Sequence, residues 1–268
     1  MQSIQGLQDI SSLYDHYIVD IWGVVHNGLA LYPGTLDAFD RLKAMGKQVI
    51  LLSNSPRRAH EVQDQLETMG LGAHHYHGIH TSGEETYDLL KEHQGKWQRV
   101  YPLMSVGRHT ALQQELTELG FDCVDDVEQA DLLLNTGPDN LVVELYGDFL
   151  KEALAHKVPM LCANPDVAAY VGNERIVCAG ALANAYAVMG GEVLYVGKPY
   201  PLVYERIFQL FSAFDLGRAV GVGDGLMTDI LGAHTMKMAS VLIGTGLGRE
   251  TPMNESLKPT YQLAQLRW

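Results

Sequence analysis

The chain has 268 residues, 47% of them hydrophobic, and a formal net charge of −13. That acidity argues against nucleic-acid binding by phosphate neutralisation, which needs clustered Lys and Arg, and disfavours an anionic membrane surface. With no basic signal-like start, no spanning run of about 18 apolar residues and only Cys123, Cys162 and Cys178, the expectation is a soluble, cytoplasmic protein with reduced thiols.

Residues 1–16 read as a short docking segment. Tyr17-Ile18-Val19-Asp20-Ile21-Trp22-Gly23 is an apolar run carrying a single acid, the pattern of a buried parallel strand. Asn27-Gly28 between apolar runs signals a small β-hairpin. Pro33-Gly34 opens a helix with Leu36, Phe39, Leu42 and Met45 on one face. Residues 48–53 form a second buried strand, and Pro56 suits the first turn of a helix with Ala59, Val62, Leu66 and Met69 inward. His74, His75, His77 and His80 fall in a stretch that reads as a loop between domains. With no Cys or acid at ligand spacing, a solvated connection is preferred there over a metal site.

Ser82-Gly83-Glu84-Glu85 has capping-box spacing, and the α/β pattern restarts from it. Strands are expected at 100–104, 132–134 and 159–162, with a short segment at 121–124 and helices near 110–119, 141–156 and 180–189. Residues 193–196 return the chain to the first unit. A helix follows with Val203, Ile207, Leu210 and Phe211 inward, then strands at 219–224 and 238–243. Strands alternating with helices imply a parallel sheet. The expected fold is α/β: a doubly wound, Rossmann-like core of residues 1–81 and 192–268, with an α/β cap domain, 82–191, inserted.

Four groups stand in order at element ends: Asp20; Ser53-Asn54-Ser55; Gly197-Lys198-Pro199; and Gly223-Asp224 through Asp229. In a parallel sheet these converge beyond the carboxyl ends of the strands. Clustered carboxylates repel unless a hard cation such as Mg²⁺ lies among them. Ser53 at a helix start can donate its hydroxyl while backbone N–H groups hold an anion, and Lys198 adds positive charge. The chemistry is that of a phosphate site. The competing structural readings are a satisfied core acid for Asp20, a helix cap for Ser53, a solvated turn residue for Lys198 and a surface acid for Asp229.

This order and wording resembles the haloacid-dehalogenase-like superfamily, through Leu52-Ser53-Asn54-Ser55, Gly197-Lys198-Pro199 and the run from Gly223 to Asp229. Cys162-Ala163-Asn164-Pro165-Asp166 and Cys178-Ala179-Gly180-Ala181-Leu182 resemble its class IIA. That class holds p-nitrophenyl phosphatase, phosphoglycolate phosphatase and nucleotide monophosphatases, and inserts its cap between the second and third motifs. The resemblance implies that Asp20 is a nucleophile forming an aspartyl-phosphate. Ser53, Asn54 and Lys198 would bind the phosphoryl group. Mg²⁺ would be held by Asp20, the backbone carbonyl of Trp22, Asp224 and Asp229. The implied partner is a small phosphorylated metabolite, with no nucleic acid or membrane; a homo-oligomer stays open.

The chain departs from the family at Trp22, where the phosphatases usually carry a second acid. Indole offers one N–H donor and no titratable proton near neutral pH, and general acid–base catalysis is worth ~10²–10⁴-fold. Three consequences stay open. His26 substitutes for the acid, the leaving group needs no proton, or the protein binds a phosphorylated ligand and hardly turns it over. Otherwise His26 is a hairpin residue in water. The leading reading is a Mg²⁺-dependent phosphomonoester hydrolase, weak or leaving-group-selective. The alternative is a catalytically impaired phospholigand-binding or regulatory protein on the same scaffold. Gly244-Thr245-Gly246-Leu247-Gly248 prompts a third reading, a dinucleotide-dependent oxidoreductase, against which its spacing and late position both speak.

Overall fold

Apolar runs centred on Ile18, Ile50, Val220 and Val241 pair with one another as the middle of a parallel sheet. The computed structural model describes residues 1–105, 110–139, 141–211, 214–249 and 257–268. The chain opens with β1 (Gln2–Ser3), β2 (His16–Val19), α1 (Thr35–Ala44), β3 (Gln48–Ser53), α2 (Ala59–Thr68) and β4 (Gly78–Thr81). Its middle comprises α3 (Ser82–Glu92), β5 (Arg99–Met104), α4 (Thr110–Glu118), β6 (Asp122–Cys123), β7 (Leu132–Gly137), α5 (Gly147–Ala155), β8 (Met160–Cys162), β9 (Ala168–Val171), β10 (Glu174–Val177), α6 (Ala179–Val188) and β11 (Val193–Tyr195). It closes with α7 (Pro201–Leu210), β12 (Ala219–Gly223), α8 (Leu231–Thr235), β13 (Ala239–Ile243) and β14 (Tyr261–Leu263). No helix among the described residues is long and apolar enough to cross a membrane.

The first sheet has the order β1-β14-β13-β12-β2-β3-β4, all parallel. Alternate side chains of its strands go to opposite faces. Tyr17, Val19, Val49 and Leu51 pack with Phe39, Leu42 and Leu66, while Ile18, Ile50 and Leu52 pack with Val203 and Ile207. Both faces are therefore covered, which is why the strands read as continuous apolar runs. From β2 the chain winds through β3 to β4 at one edge, whereas β12 lies on the other side of β2 and leads to β13 and β14. The gap between the ends of β2 and β12 is the topological switch point, where doubly wound folds bind ligands. There the Asp20 N–H donates to the Val222 carbonyl at 2.8 Å.

The second sheet, β11-β8-β7-β5-β6, is also parallel. β11 pairs with β8, so residues 193–195 belong to this sheet and not to the first unit as expected. A β9–β10 antiparallel hairpin, unforeseen from sequence, projects from it. Its strands lack a clean apolar–polar alternation, so little marks them locally. β1 and β14 are two and three residues long and carry too little pattern to read.

Several local expectations change. At Asn27-Gly28 the hairpin shrinks to isolated bridges, with Asn27 Oδ1 accepting the Leu29 and Ala30 N–H groups, both at 2.9 Å. α1 turns Ala38, Phe39 and Leu42 inward and leaves Leu36 and Met45 exposed. α2 starts three residues after Pro56 and buries Val62 and Leu66. The helix expected over 141–156 begins regularly only at Gly147. α7 buries Val203, Tyr204 and Ile207, while Leu210 is exposed. Thr81, not Ser82, caps α3, its Oγ1 accepting the Glu84 N–H at 3.0 Å. The histidine-rich stretch is not a loop but leads into edge strand β4. His77 Nδ1 accepts the Val49 N–H at 3.0 Å, His75 Nδ1 lies 2.6 Å from Asp40 Oδ1, and His80 Nε2 lies 2.9 Å from Glu85 Oε2. These rings serve separate structural partners.

Candidate active site

Asp20 follows β2 and Asp224 follows β12, so the register of the two strands sets their carboxylates side by side. Asp229 lies on a single π-helical turn, Leu226–Ile230, and its Oδ2 accepts the Gly225 N–H at 3.0 Å. Gly223 permits this approach, since a Cβ there would stand 2.0 Å from Asp229 Cγ. One oxygen from each of Asp20, Asp224 and Asp229 lies within 4.8 Å of the others, and all three residues are buried.

Lys198 reaches this cluster from the turn before α7. Its Nζ donates to Asp20 Oδ1 at 2.5 Å, Asp229 Oδ1 at 2.7 Å and the Leu52 carbonyl at 3.0 Å, which uses every donor of an ammonium. Lys198 is 3% exposed and Asp229 7%, so neither is the solvated group of the structural alternative. Ser53 Oγ accepts the Ser55 N–H at 3.1 Å and faces the same cavity. Asn54, expected among the phosphate ligands, has its amide taken by protein. Oδ1 accepts the Lys198 N–H at 2.7 Å, and Nδ2 donates to the Lys198 carbonyl at 3.0 Å and Asp166 Oδ1 at 2.8 Å. It clasps the lysine turn.

The cavity above these groups has a volume of about 1090 Å³. It lies between the two units, with Asp20, Ser53 and Lys198 on one side and Thr136, Asp166 and Glu174 on the other. Burial pushes the Asp20 carboxyl up to about 7; Lys198 opposes the rise and Asp229 adds to it. Burial also pushes Asp224 well above the carboxylate range, reinforced by Asp20 and Asp229, and the Leu247 N–H only partly offsets this. Burial alone would lower the Lys198 pKa, yet Asp20 and Asp229 raise it. Three acids face one ammonium, and the excess is negative. An all-oxygen donor set with surplus negative charge fits a hard divalent cation such as Mg²⁺.

Trp22, half-buried, turns toward the second unit: its Nε1–H donates to the Tyr170 carbonyl of β9 at 2.6 Å. Nearby the Gly172 N–H donates to the Asn27 carbonyl at 2.7 Å. The ring also meets His26 edge-on at 4.8 Å. His26 does not point into water; it is fully buried. Its Nδ1 accepts the Gly28 N–H at 2.9 Å, and burial, with the Arg57 charge, pushes its pKa down to about 4. The ring is neutral at physiological pH and is not among the residues lining the cavity.

Two features of the site escaped the sequence reading. Asp166, legible only inside a family-like phrase, lines the cavity, and burial pushes its carboxyl up to about 6. The Gly244–Gly248 run serves Asp224: the Leu247 N–H donates to Asp224 Oδ2 at 2.5 Å, and Thr245 Oγ1 donates to the Gly23 carbonyl at 2.6 Å. Gly246 has φ +54°, and a Cβ there would lie 1.9 Å from Asp224 Oδ2. The spacing and late position of this run separate it from a dinucleotide fingerprint.

Acids paired across the switch point of a doubly wound sheet, with a lysine from a later turn, define a hydrolase of the haloacid dehalogenase type. A haloacid dehalogenase-like hydrolase family model matches residues 17–122 and an HAD-hydrolase-like model residues 195–268, and the chain belongs to this family. Chronophin from Homo sapiens is 28% identical over 257 residues, spanning 91% of this chain and 86% of that protein. Ribonucleotide monophosphatase NagD from Escherichia coli K12 is 27% identical over 239 residues, 86% of this chain and 87% of that protein. The crystal structure of a haloacid dehalogenase-like hydrolase from Brucella suis 1330 matches with TM-score 0.88 at 29% identity, covering 98% of this chain and 99% of its own.

Proposed function

We propose that the chain is a Mg²⁺-dependent phosphoric monoester hydrolase that works through an aspartyl-phosphate on Asp20. The observation that carries this reading is the buried cluster of Asp20, Asp224 and Asp229 with Lys198 at the switch point. The phosphatase names of the relatives support it. Asp20, the Trp22 carbonyl, Asp224 and Asp229 would hold Mg²⁺, which when bound offsets negative charge on the phosphoryl oxygens. Lys198 favours the ionised form of Asp20, the form that attacks phosphorus. Ser53 donates its hydroxyl to a phosphoryl oxygen, and Asn54 keeps the Lys198 turn in place. Residues 82–191, with β11, act as a cap that excludes water.

Trp22 has no proton for the departing oxygen. A weakly basic phenolate leaves unaided, whereas an alkoxide needs a proton in the transition state. The same position favours the second reading, a binding protein that barely turns over its phosphorylated ligand. A series of esters with graded leaving-group pKa, measured on the parent and on Trp22→Asp, tests both. The expected parent shows steep dependence, and Trp22→Asp speeds alkyl relative to aryl esters by about 10²-fold. Equal, shallow dependence in both means that another group supplies the proton. No hydrolysis of any ester by Mg²⁺-loaded parent favours the binding protein.

A further inference from the structure

One strong charge in the cavity has no task in the chemistry above. Arg57 lies just beyond Ser53-Asn54-Ser55 and lines the same cavity. Its backbone is held in place: the carbonyl accepts Thr81 Oγ1–H at 2.7 Å, and the N–H donates to Ser55 Oγ at 3.3 Å. Among the described residues its guanidinium donates only to neutral groups, Nε to Ser55 Oγ at 3.3 Å and Nη2 to Gln65 Oε1 at 2.6 Å. Among the described residues no carboxylate forms an ion pair with it. Glu61, whose charge reaches it, instead accepts the Arg58 N–H at 2.9 Å. The neighbouring Arg58 shows the ordinary outcome, pairing with Glu84 and Glu115.

A guanidinium stays charged, and a largely desolvated charge without a counter-ion is costly. Arg57 is not needed to balance the acids, since Lys198 already pairs with Asp20 and Asp229. Arg57 lines the same cavity as Ser53 and Trp22, so a ligand seated there meets its charge as well as the phosphoryl-binding groups. The cavity, about 1090 Å³, has room for far more than a phosphoryl group.

We propose that Arg57 anchors a second anionic group of the substrate. The substrate class is then a phosphate ester whose leaving group carries its own carboxylate or phosphate. This rests on the phosphatase reading for the fate of the ester, and on Arg57 for the second charge. Guanidinium matches such planar or multi-oxygen anions through paired N–H donors.

The test measures calorimetric binding of non-hydrolysable probes to the Mg²⁺-loaded full chain. Phenylphosphonate carries one anion; 4-phosphonobenzoate and benzene-1,4-diphosphonate carry a second. The parent should bind the doubly anionic probes at least about tenfold more tightly than phenylphosphonate. Arg57→Gln should collapse that preference to within about twofold, and Arg57→Lys should keep part of it. Whichever doubly anionic probe gains more identifies carboxylate or phosphate as the favoured group. No preference in the parent overturns the proposal. So does an equal loss on all three probes in Arg57→Gln, which assigns Arg57 to the phosphoryl group itself. If Arg57→Gln does not fold, the parent's preference and its reduction in Arg57→Lys decide. Hydrolysis of 4-nitrophenyl and 4-carboxyphenyl phosphate by the parent is assayed alongside. Absence of turnover there sinks the phosphatase reading, while the binding preference bears on Arg57 alone.

Discussion

Two nests of buried charge lie where the two units meet, and they are composed differently. In the first, Glu85 of α3 is fully buried. Arg206 of α7 donates to both its oxygens, at 2.9 and 3.1 Å, and His80 Nε2 lies 2.9 Å away. Burial would raise the Glu85 pKa, yet these partners hold it below the ordinary value. In the second nest Asp20, Asp224 and Asp229 share Lys198, and burial drives Asp20 and Asp224 the other way. Both nests bear a desolvation cost. The direction of the shift tells whether the protein's own partners offset it. A matched nest is structural, here tying α3, where the chain enters the second unit, to α7, where it re-enters the first. A nest with surplus negative charge suits a bound cation and the anion that the cation attracts.

The largest expected effect would break this contrast at once if it failed. Asp20→Asn should lower kcat on 4-nitrophenyl phosphate by at least about 10³-fold, because an amide does not attack phosphorus. Its urea midpoint should hold or rise, since one surplus carboxylate is gone. Retained turnover would remove Asp20 from the chemistry.

Glu85→Gln should do the reverse. Arg206 and His80 would face a neutral amide in a buried site, and stability should fall by about 3 kcal/mol in urea unfolding, with kcat of the same order as the parent. A loss below about 1 kcal/mol would erase the difference between the nests.

The cation can then be located by mass action. Mg²⁺ at a hundred times its Kd should stabilise the parent by about 2.7 kcal/mol, and Asp224→Asn should lose most of that gain. A Mg²⁺ response unchanged in the variant would put the ion elsewhere.

The smallest effect is in the pH dependence of the matched nest. The Glu85 pKa is lower folded than its ordinary 4.5. Its contribution is therefore present above the unfolded pKa and is lost as pH falls through the folded value. The stability gap between parent and Glu85→Gln should be flat near neutrality and narrow below pH 4.5. A gap that stays constant as the acid limb is entered would mean that ionised Glu85 is not what holds the nest.

The site was legible to different depths. Asp20, Ser53, Lys198, Asp224 and Asp229 stood out because each ends an apolar strand or opens the element after it, and a parallel sheet gathers such ends at one edge. The actual partners of Asn54 and Trp22 were not legible. Asn54 bonds Asp166, 112 residues away, and Trp22 bonds Tyr170, 148 residues away. Nothing local to either position records which segment arrives there. That Arg57 has no carboxylate partner among the described residues was hidden for the same reason, since its neighbour Arg58 looks identical in sequence yet is paired twice.

The sequence by itself determined the parallel α/β class, the interruption of one unit by another, and the acids at the strand ends. Those follow from periodicity and from the cost of burying a charge, both written in short windows. Only the tertiary structure decided that β11 joins the second sheet, that the β9–β10 hairpin reaches Trp22, and that His26 is buried and neutral. Only it decided that the late glycine run holds Asp224. Each of these depends on packing between segments far apart in the chain, where burial and hydrogen-bond partners are set by what docks alongside rather than by what comes next in sequence.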